Sequence, residues 1–144
     1  MRLGVAKRMA DWMLQDVADR APHKQAPLLV RDQVSLTQAL WRFARQEPRV
    51  VIVGISDSDS LQVGIGGEWA FVEHVVERPW KAEVAIPKGE STDGPKPESV
   101  CFPVGGDSSE IPAECLMPVA KAIDLIAEYY RTGALPSGVE WLLS

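Results

Sequence analysis

The sequence predicts an α+β fold, an antiparallel β-meander of about five to six strands with helices packed on one face. Residues 50–55 form a nearly continuous run of β-branched side chains, which is typical of a strand buried on both sides. Residues 61–86 alternate apolar and polar side chains in short segments, as half-buried antiparallel strands do. Apolar residues recur at helical spacing between Pro118 and Gly133, so this helix has one face to bury against the sheet.

The N-terminal part of the chain is predicted to be mainly helical. Residues 1–24 place apolar side chains near one helical face, which indicates an amphipathic N-terminal helix or extension. Residues 25–144 are predicted to form a single α+β domain that begins with a short strand at 28–30. A helix follows at 35–46, with Ser35 as its N-cap.

Glycine and proline residues mark turns and helix ends in the later part of the chain. Gly66 and Gly67 predict a tight turn between two strands. Pro118 suits the first helical position, and Gly133 suits the left-handed residue just past a helix end. Residues 87–98 have no apolar side chain to bury after the first proline, which predicts a mobile surface loop. The other predicted elements are strands at 61–65, 68–77, 80–86, 100–104 and 111–116 and a helix at 118–132.

Two short motifs look like ligand loops. Residues 64–67 are glycine-rich, but neither a Lys-Ser/Thr pair nor a helix follows them, which favours a hairpin over a phosphate site. Residues 57–59 resemble the start of a calcium loop. Leu61 and Gln62 occupy positions that such a loop needs for a ligand and a glycine, which favours a polar turn.

Length and composition predict a cytoplasmic protein without metal or cofactor. The 144 residues suffice for one hydrophobic core. No segment approaches the ~20 apolar residues of a membrane span. Cys101 and Cys115 are expected to be reduced, and together with His23 and His74 they lack the spacing of zinc ligands.

Charge is unevenly distributed along the chain. The formal net charge is −5. Residues 1–24 hold five basic and three acidic residues, whereas residues 50–120 hold twelve acidic and four basic residues, a net charge of −8. Nucleic-acid ligands need clustered Lys and Arg, so an acidic middle argues against a direct nucleic-acid partner. It suits a protein partner with a basic surface, or it simply maintains solubility.

The sequence does not favour a catalytic site. A thiol, a histidine and a carboxylate could combine from Cys101 or Cys115, His74, and Glu73 or Glu114. Neither cysteine follows a glycine-rich elbow or opens a helix, and the His-x-Glu with Pro-Cys-x-x-Cys pattern of zinc deaminases is missing. The sequence therefore predicts a protein that is not an enzyme.

The C-terminal stretch resembles the Imm-one family of immunity proteins from bacterial polymorphic-toxin systems. The resemblance is firmest over residues 109–143 and extends more loosely over the strands from 50 to 104. In that family a helix ending in paired aromatics, a Thr-Gly or similar stop, a proline and a final Val-x-Trp close the domain. The matching segments here are Glu110-Ile111-Pro112, residues 119–123, residues 127–133 and residues 135–141.

The resemblance implies a stoichiometric inhibitor that binds a cognate toxin, often a nucleic-acid deaminase. An acidic surface on a rigid sheet would then occlude a basic active site or substrate channel. The oligomeric state is left open. The alternative is a small regulatory or adaptor protein that binds a non-toxin partner through its acidic sheet. The predicted toxin-binding residues are Asp57, Asp59, Glu68, Glu73, Glu77 and Asp107, with Trp69 and Trp80 as possible aromatic anchors.

Overall fold

The α+β class with helices on one sheet face is confirmed, and the strands outnumber the five or six predicted. A computed structural model describes residues 12–17, 28–56, 59–77, 80–88, 96–104 and 107–144. The helices are α1 (Gln33–Ala44) and α2 (Val119–Thr132), with a 3-10 turn at Ala113–Cys115. The strands are β1 (Trp12–Asp16), β2 (Leu28–Val30), β3 (Arg49–Ser56), β4 (Asp59–Ile65), β5 (Trp69–Glu77), β6 (Trp80–Pro87), β7 (Ser99–Val104), β8 (Asp107–Pro112), β9 (Met117–Pro118) and β10 (Val139–Leu143).

The main sheet is antiparallel and has the order β10-β6-β5-β4-β3-β1-β2, with the short β9 paired to β5. Strands β3 to β6 form the predicted meander, joined at its β4–β5 turn by Gly66 and Gly67 with positive φ angles. Strands β7 and β8 form a separate hairpin. The predicted strand at 111–116 ends at Pro112, where the 3-10 turn begins.

Strand β1 corrects the helix predicted over residues 1–24. Trp12, Leu14 and Asp16 are buried, while Met13 and Gln15 between them are more exposed, a period of two rather than 3.6. These residues form a strand rather than a helix because pairing with β3 satisfies the backbone hydrogen-bonding groups of β1 within the sheet. Residues 89–95 of the loop predicted at 87–98, and residues 1–11 and 18–24 of the predicted N-terminal helix, lie outside the described residues.

Both helices begin at slightly different residues than predicted. Helix α1 starts after Asp32, whose carboxylate accepts a hydrogen bond from the Ser35 backbone N–H at 2.7 Å, so Ser35 lies at the third helical position. In α2, Pro118 is the N-cap, and Gly133 ends the helix with φ 72° as predicted. Of the two tyrosines near the end of α2, Tyr129 is buried and Tyr130 is partly buried against the core.

The sheet is covered on both faces. Helices α1 and α2 pack on one face, the helix face, over side chains such as Val51, Val63 and Val72. The β7–β8 hairpin packs on part of the other face, the hairpin face, through Phe102. Gly64 permits this contact, because a Cβ there would overlap the ring of Phe71 and lie 2.9 Å from Phe102. The hairpin therefore forms a third layer that sequence patterning did not predict.

Candidate functional site

Four predicted site residues share the hairpin face. Trp69, Glu73 and Glu77 alternate along β5 and point to that face, and Trp80 pairs with Glu77 across the β5–β6 connection. Glu73 also pairs with Val84 of β6. The four side chains therefore share one face of the sheet, with Glu77 and Trp80 adjacent and Trp69 at the opposite end of β5.

The two tryptophans of this face differ in environment. Trp69 packs against the smaller core under the hairpin, and the Lys96 ammonium lies 5.9 Å from its ring centroid. Trp80 is 67% exposed, and Leu142 on β10 is 44% exposed on the same face. Trp80 is therefore the tryptophan available to a partner.

A groove of about 400 Å³ lies between the hairpin and the sheet. Its walls come from β3 to β8, from the 3-10 turn and from Ser144, so the docked hairpin creates it. The described residues that line it include two glutamates and no lysine or arginine. The lining residues are Val50, Gln62, Phe71, Glu73, Val84, Val104, Ser109, Glu110, Ile111, Pro112, Cys115 and Ser144.

Serine hydroxyls hold both carboxylates of the groove. Ser144 Oγ donates a hydrogen bond of 2.7 Å to Glu73 Oε2, and Ser99 Oγ donates one of 3.0 Å to Glu110 Oε2. Neither carboxylate has an ion-pair partner among the described residues. Glu73 lies on the sheet side of the groove, so its negative charge contributes to the field there, whereas Glu110 is exposed and pairs with Cys101 on the outer side of the hairpin.

The surroundings of Cys115 raise the pKa of its thiol. Burial raises the pKa of the Cys115 thiol, and the charges of Glu114 and Glu73 raise it further, against a lowering by Lys96. The protonated thiol is therefore favoured, which is opposite to what a nucleophilic cysteine needs. His74 cannot assist it, because His74 lies on the helix face and Cys115 lines a groove on the other face.

Asp59 lies away from the groove in a polar cluster of its own. Its Oδ1 atom is 2.7 Å from His74 Nε2 and accepts a 3.0 Å hydrogen bond from the Tyr129 hydroxyl. The cluster fastens the start of β4 to β5 and α2. These contacts use the Asp59 carboxylate within the fold, so a structural role is the simplest account of it.

The raised pKa of Tyr129 predicts that the free energy of unfolding decreases at alkaline pH. Burial and then the Asp59 charge raise the pKa of Tyr129 well above its ordinary value. The unfolded tyrosine ionises near pH ~10 while the folded one stays neutral, so stability is complete below that pH and falls above it. Relative to Tyr129→Phe, the wild type is expected to lose about 1.4 kcal/mol more per pH unit in urea unfolding above pH ~10. Tyr130→Phe is the control, and loss of the slope in that variant would contradict the assignment.

The other predicted site residues are dispersed. Glu68 is exposed in the β4–β5 turn, where its carbonyl accepts a hydrogen bond from Val119 N. Asp107 is exposed at the start of β8. Asp57 lies outside the described residues. The groove adds Glu110 and Ser144, which no local pattern marks because their proximity to Glu73 depends on hairpin docking and on pairing of β10 with β6.

The described part of the chain has neither a metal-binding cluster nor a membrane-spanning helix. No group of three or more His, Cys, Asp or Glu side chains is placed there to hold a metal ion. None of the described helices is long and apolar enough to cross a membrane.

An acidic groove beside an exposed tryptophan is typical of a protein that binds another protein. The family model for Immunity protein Imm1 matches residues 12–143. The chain therefore belongs to the Imm1 family of immunity proteins, which confirms the resemblance and extends it to β1. Membership implies a cognate toxin protein as the partner. Comparison with curated proteins gave no match.

Proposed function

We propose that this chain protects the cytoplasm of its producing cell by binding a nucleic-acid deaminase toxin stoichiometrically through the hairpin face. The bound chain would cover the active site or the substrate channel of the toxin. The observation that carries this proposal is the groove, whose lining includes Glu73 and Glu110 and, among the described residues, no lysine or arginine.

Charge complementarity supports a nucleic-acid enzyme as the target. An enzyme that holds a nucleic-acid strand needs a positively charged channel along the phosphates. Glu77 on β5 and Glu140 on β10 are exposed on the hairpin face, on the two sides of β6. An acidic face of this kind would compete with the phosphate backbone for the same basic side chains and would speed encounter with the toxin.

Apolar contact would supply the rest of the affinity. Trp80 and Leu142 are exposed on the same face as the acidic residues. Tryptophan is enriched among the few residues that dominate binding energy, especially when polar contacts surround it. The hairpin face therefore offers both a steering charge and an anchor.

Co-expression tests the proposal directly. The chain is produced together with the toxin domain encoded beside it, and growth, deaminase activity and the mass of the purified complex are measured. Rescue of growth, loss of deaminase activity and a 1:1 complex are expected. A chain that neither rescues growth nor binds the toxin would instead be an adaptor for another partner.

Charge reversal on the hairpin face should slow association. The double variant Glu77→Lys and Glu140→Lys is expected to bind the toxin with an association rate about tenfold lower at low salt, and the loss should shrink as salt screens it. Stopped-flow mixing at several salt concentrations measures the rate. The matched control is Glu47→Lys with Asp124→Lys, which changes charge equally at exposed sites off this face. Equal slowing by both pairs would show that only net charge matters.

A further inference from the structure

We propose that two copies of this chain pair through β10, so that their main sheets join into one antiparallel sheet about a two-fold axis. This pairing needs no toxin and is independent of the proposed function. Strand β10 forms one edge of the main sheet, because β6 is its only pairing strand among the described residues. An edge strand presents backbone N–H and C=O groups that a further strand can bond.

Alternate residues of β10 direct their backbone groups away from the sheet. The Ser144 N–H donates a 3.0 Å hydrogen bond to the Ala82 carbonyl, so the backbone of Ser144 faces β6. Successive residues of a strand turn their backbone groups to opposite sides, so Leu143 faces outward, as do Trp141 and Val139. The described residues provide no backbone partner for these three outward residues. Their N–H and C=O groups are therefore available to a new strand.

The two edges of the main sheet differ in how well they resist such pairing. Strand β2, at the other edge, has only three residues. Strand β10 has five residues in continuous register with β6, with no proline, no bulge and a single charged residue, Glu140. It also exposes Leu142 and Leu143, at 44% and 73%. Short length, proline, bulges and charges are the usual protections of an edge strand, so β10 is the edge open to another strand.

The sequence of β10 is complementary to itself in one antiparallel register. When Trp141 lies opposite Trp141 of the second copy, every outward residue meets an outward residue, and each such pair exchanges two hydrogen bonds. On the helix face, Leu143 then lies opposite Val139 and diagonal to Trp141 of the second copy, so it gains apolar neighbours. On the hairpin face, Glu140 lies opposite Leu142 of the second copy, which avoids opposing like charges.

The joined sheet is a weak dimer that leaves the hairpin faces accessible. A strand of five residues is about 17 Å long, and an interface of this size falls well below the ~1,200 Å² of stable complexes. The Kd of the dimer is therefore expected to be on the order of tens of micromolar. Both hairpin faces lie on the same side of the joined sheet. Trp80 stays exposed there, because it lies on β6, one strand inside the seam.

Sedimentation and amide hydrogen exchange of the chain alone test the pairing. Sedimentation equilibrium from micromolar to millimolar concentration should show a monomer that converts to a dimer. Over the same range, the outward amides of Trp141 and Leu143 should change from unprotected to exchanging about tenfold more slowly or less, as followed by NMR. A chain that stays monomeric at millimolar concentration, or a dimer in which these amides stay unprotected, would overturn the proposal.

Substitutions at Leu142 test the register. Leu142→Lys places an ammonium opposite Glu140 of the second copy, whereas Leu142→Glu places a like charge there. Since each dimer contains two such pairs, the lysine variant is expected to dimerise about tenfold more tightly than the glutamate variant at low salt. In a Glu140→Gln background this ratio should fall below about threefold. A ratio that persists without Glu140 would reflect net charge alone and would overturn this register.

A proline at the edge separates a second copy from a toxin strand as the occupant. Leu143→Pro removes one outward N–H, and proline is tolerated on an edge where the N–H faces solvent. It should dimerise at least about tenfold more weakly than Leu143→Ala, which keeps the N–H. If the proline variant is less stable to urea, the Leu142 variants decide instead. If the wild-type chain stays monomeric and Leu143→Pro alone weakens toxin binding, the edge accepts a strand of the toxin, and the second copy is the wrong occupant.

Discussion

Replacing Phe102 with alanine is expected to lower the free energy of unfolding by about 3–5 kcal/mol. Phe102 of β7 is fully buried on the side of the hairpin that faces the sheet. Its ring packs edge to face on Phe71 with centroids 5.2 Å apart. The cavity left by the ring cannot close easily, because Gly64 below it has no side chain to move into the space. Urea unfolding followed by circular dichroism measures the loss.

The neighbouring residue provides the control for Phe102. Cys101 lies on the same strand with its side chain exposed, so Cys101→Ala should change stability by less than about 0.5 kcal/mol. Because the hairpin forms one wall of the groove, Phe102→Ala should also weaken toxin binding where the variant is still folded. A stability loss no greater than that of Cys101→Ala would show that the hairpin is not anchored through this ring.

Replacing Trp80 with alanine is expected to weaken toxin binding by about 2 kcal/mol or more, which corresponds to roughly 30-fold in Kd. The reason is the large exposed indole, which lies on the acidic face and buries its area only when a partner covers it. Since the side chain is mostly exposed in the free chain, the variant should unfold at nearly the wild-type urea concentration. Calorimetric titration with the toxin domain measures the affinity.

Trp41 offers a matched control for Trp80. It is a second exposed tryptophan, 39% accessible, and it lies on α1 at the opposite side of the sheet. Trp41→Ala should leave the Kd of the toxin complex unchanged. If Trp41→Ala were the damaging substitution, the toxin would contact the helical layer, and the hairpin face would not be the binding surface.

Local chemistry made much of the fold predictable. The β-branched run of β3 and the alternation in β4 to β6 follow from side-chain period alone. Gly133 marks the end of α2 because it adopts the left-handed conformation there. The errors arise where tertiary contacts decide: the sequence of β1 is compatible with a helix until pairing with β3 is known.

The candidate site was predictable only in part, for a similar reason. The alternation of side chains along β5 accounts for the shared face of Trp69, Glu73 and Glu77. It could not reveal that Asp59 is engaged by His74 and Tyr129, because that contact joins residues far apart in sequence. The groove itself depends on the hairpin docking over Gly64, for which no periodic signal exists.

The separation of the groove-forming segments along the chain also bears on when protection begins during synthesis. The lining runs from Val50 to Ser144, and the β10 strand that leads to Ser144 pairs with β6, more than fifty residues earlier. Such distant pairings close slowly, and a ribosome must have released residues 139–144 before they can form. If the groove contacts the toxin, a nascent chain can bind only after residues 139–144 have emerged from the ribosome and β10 has paired with β6.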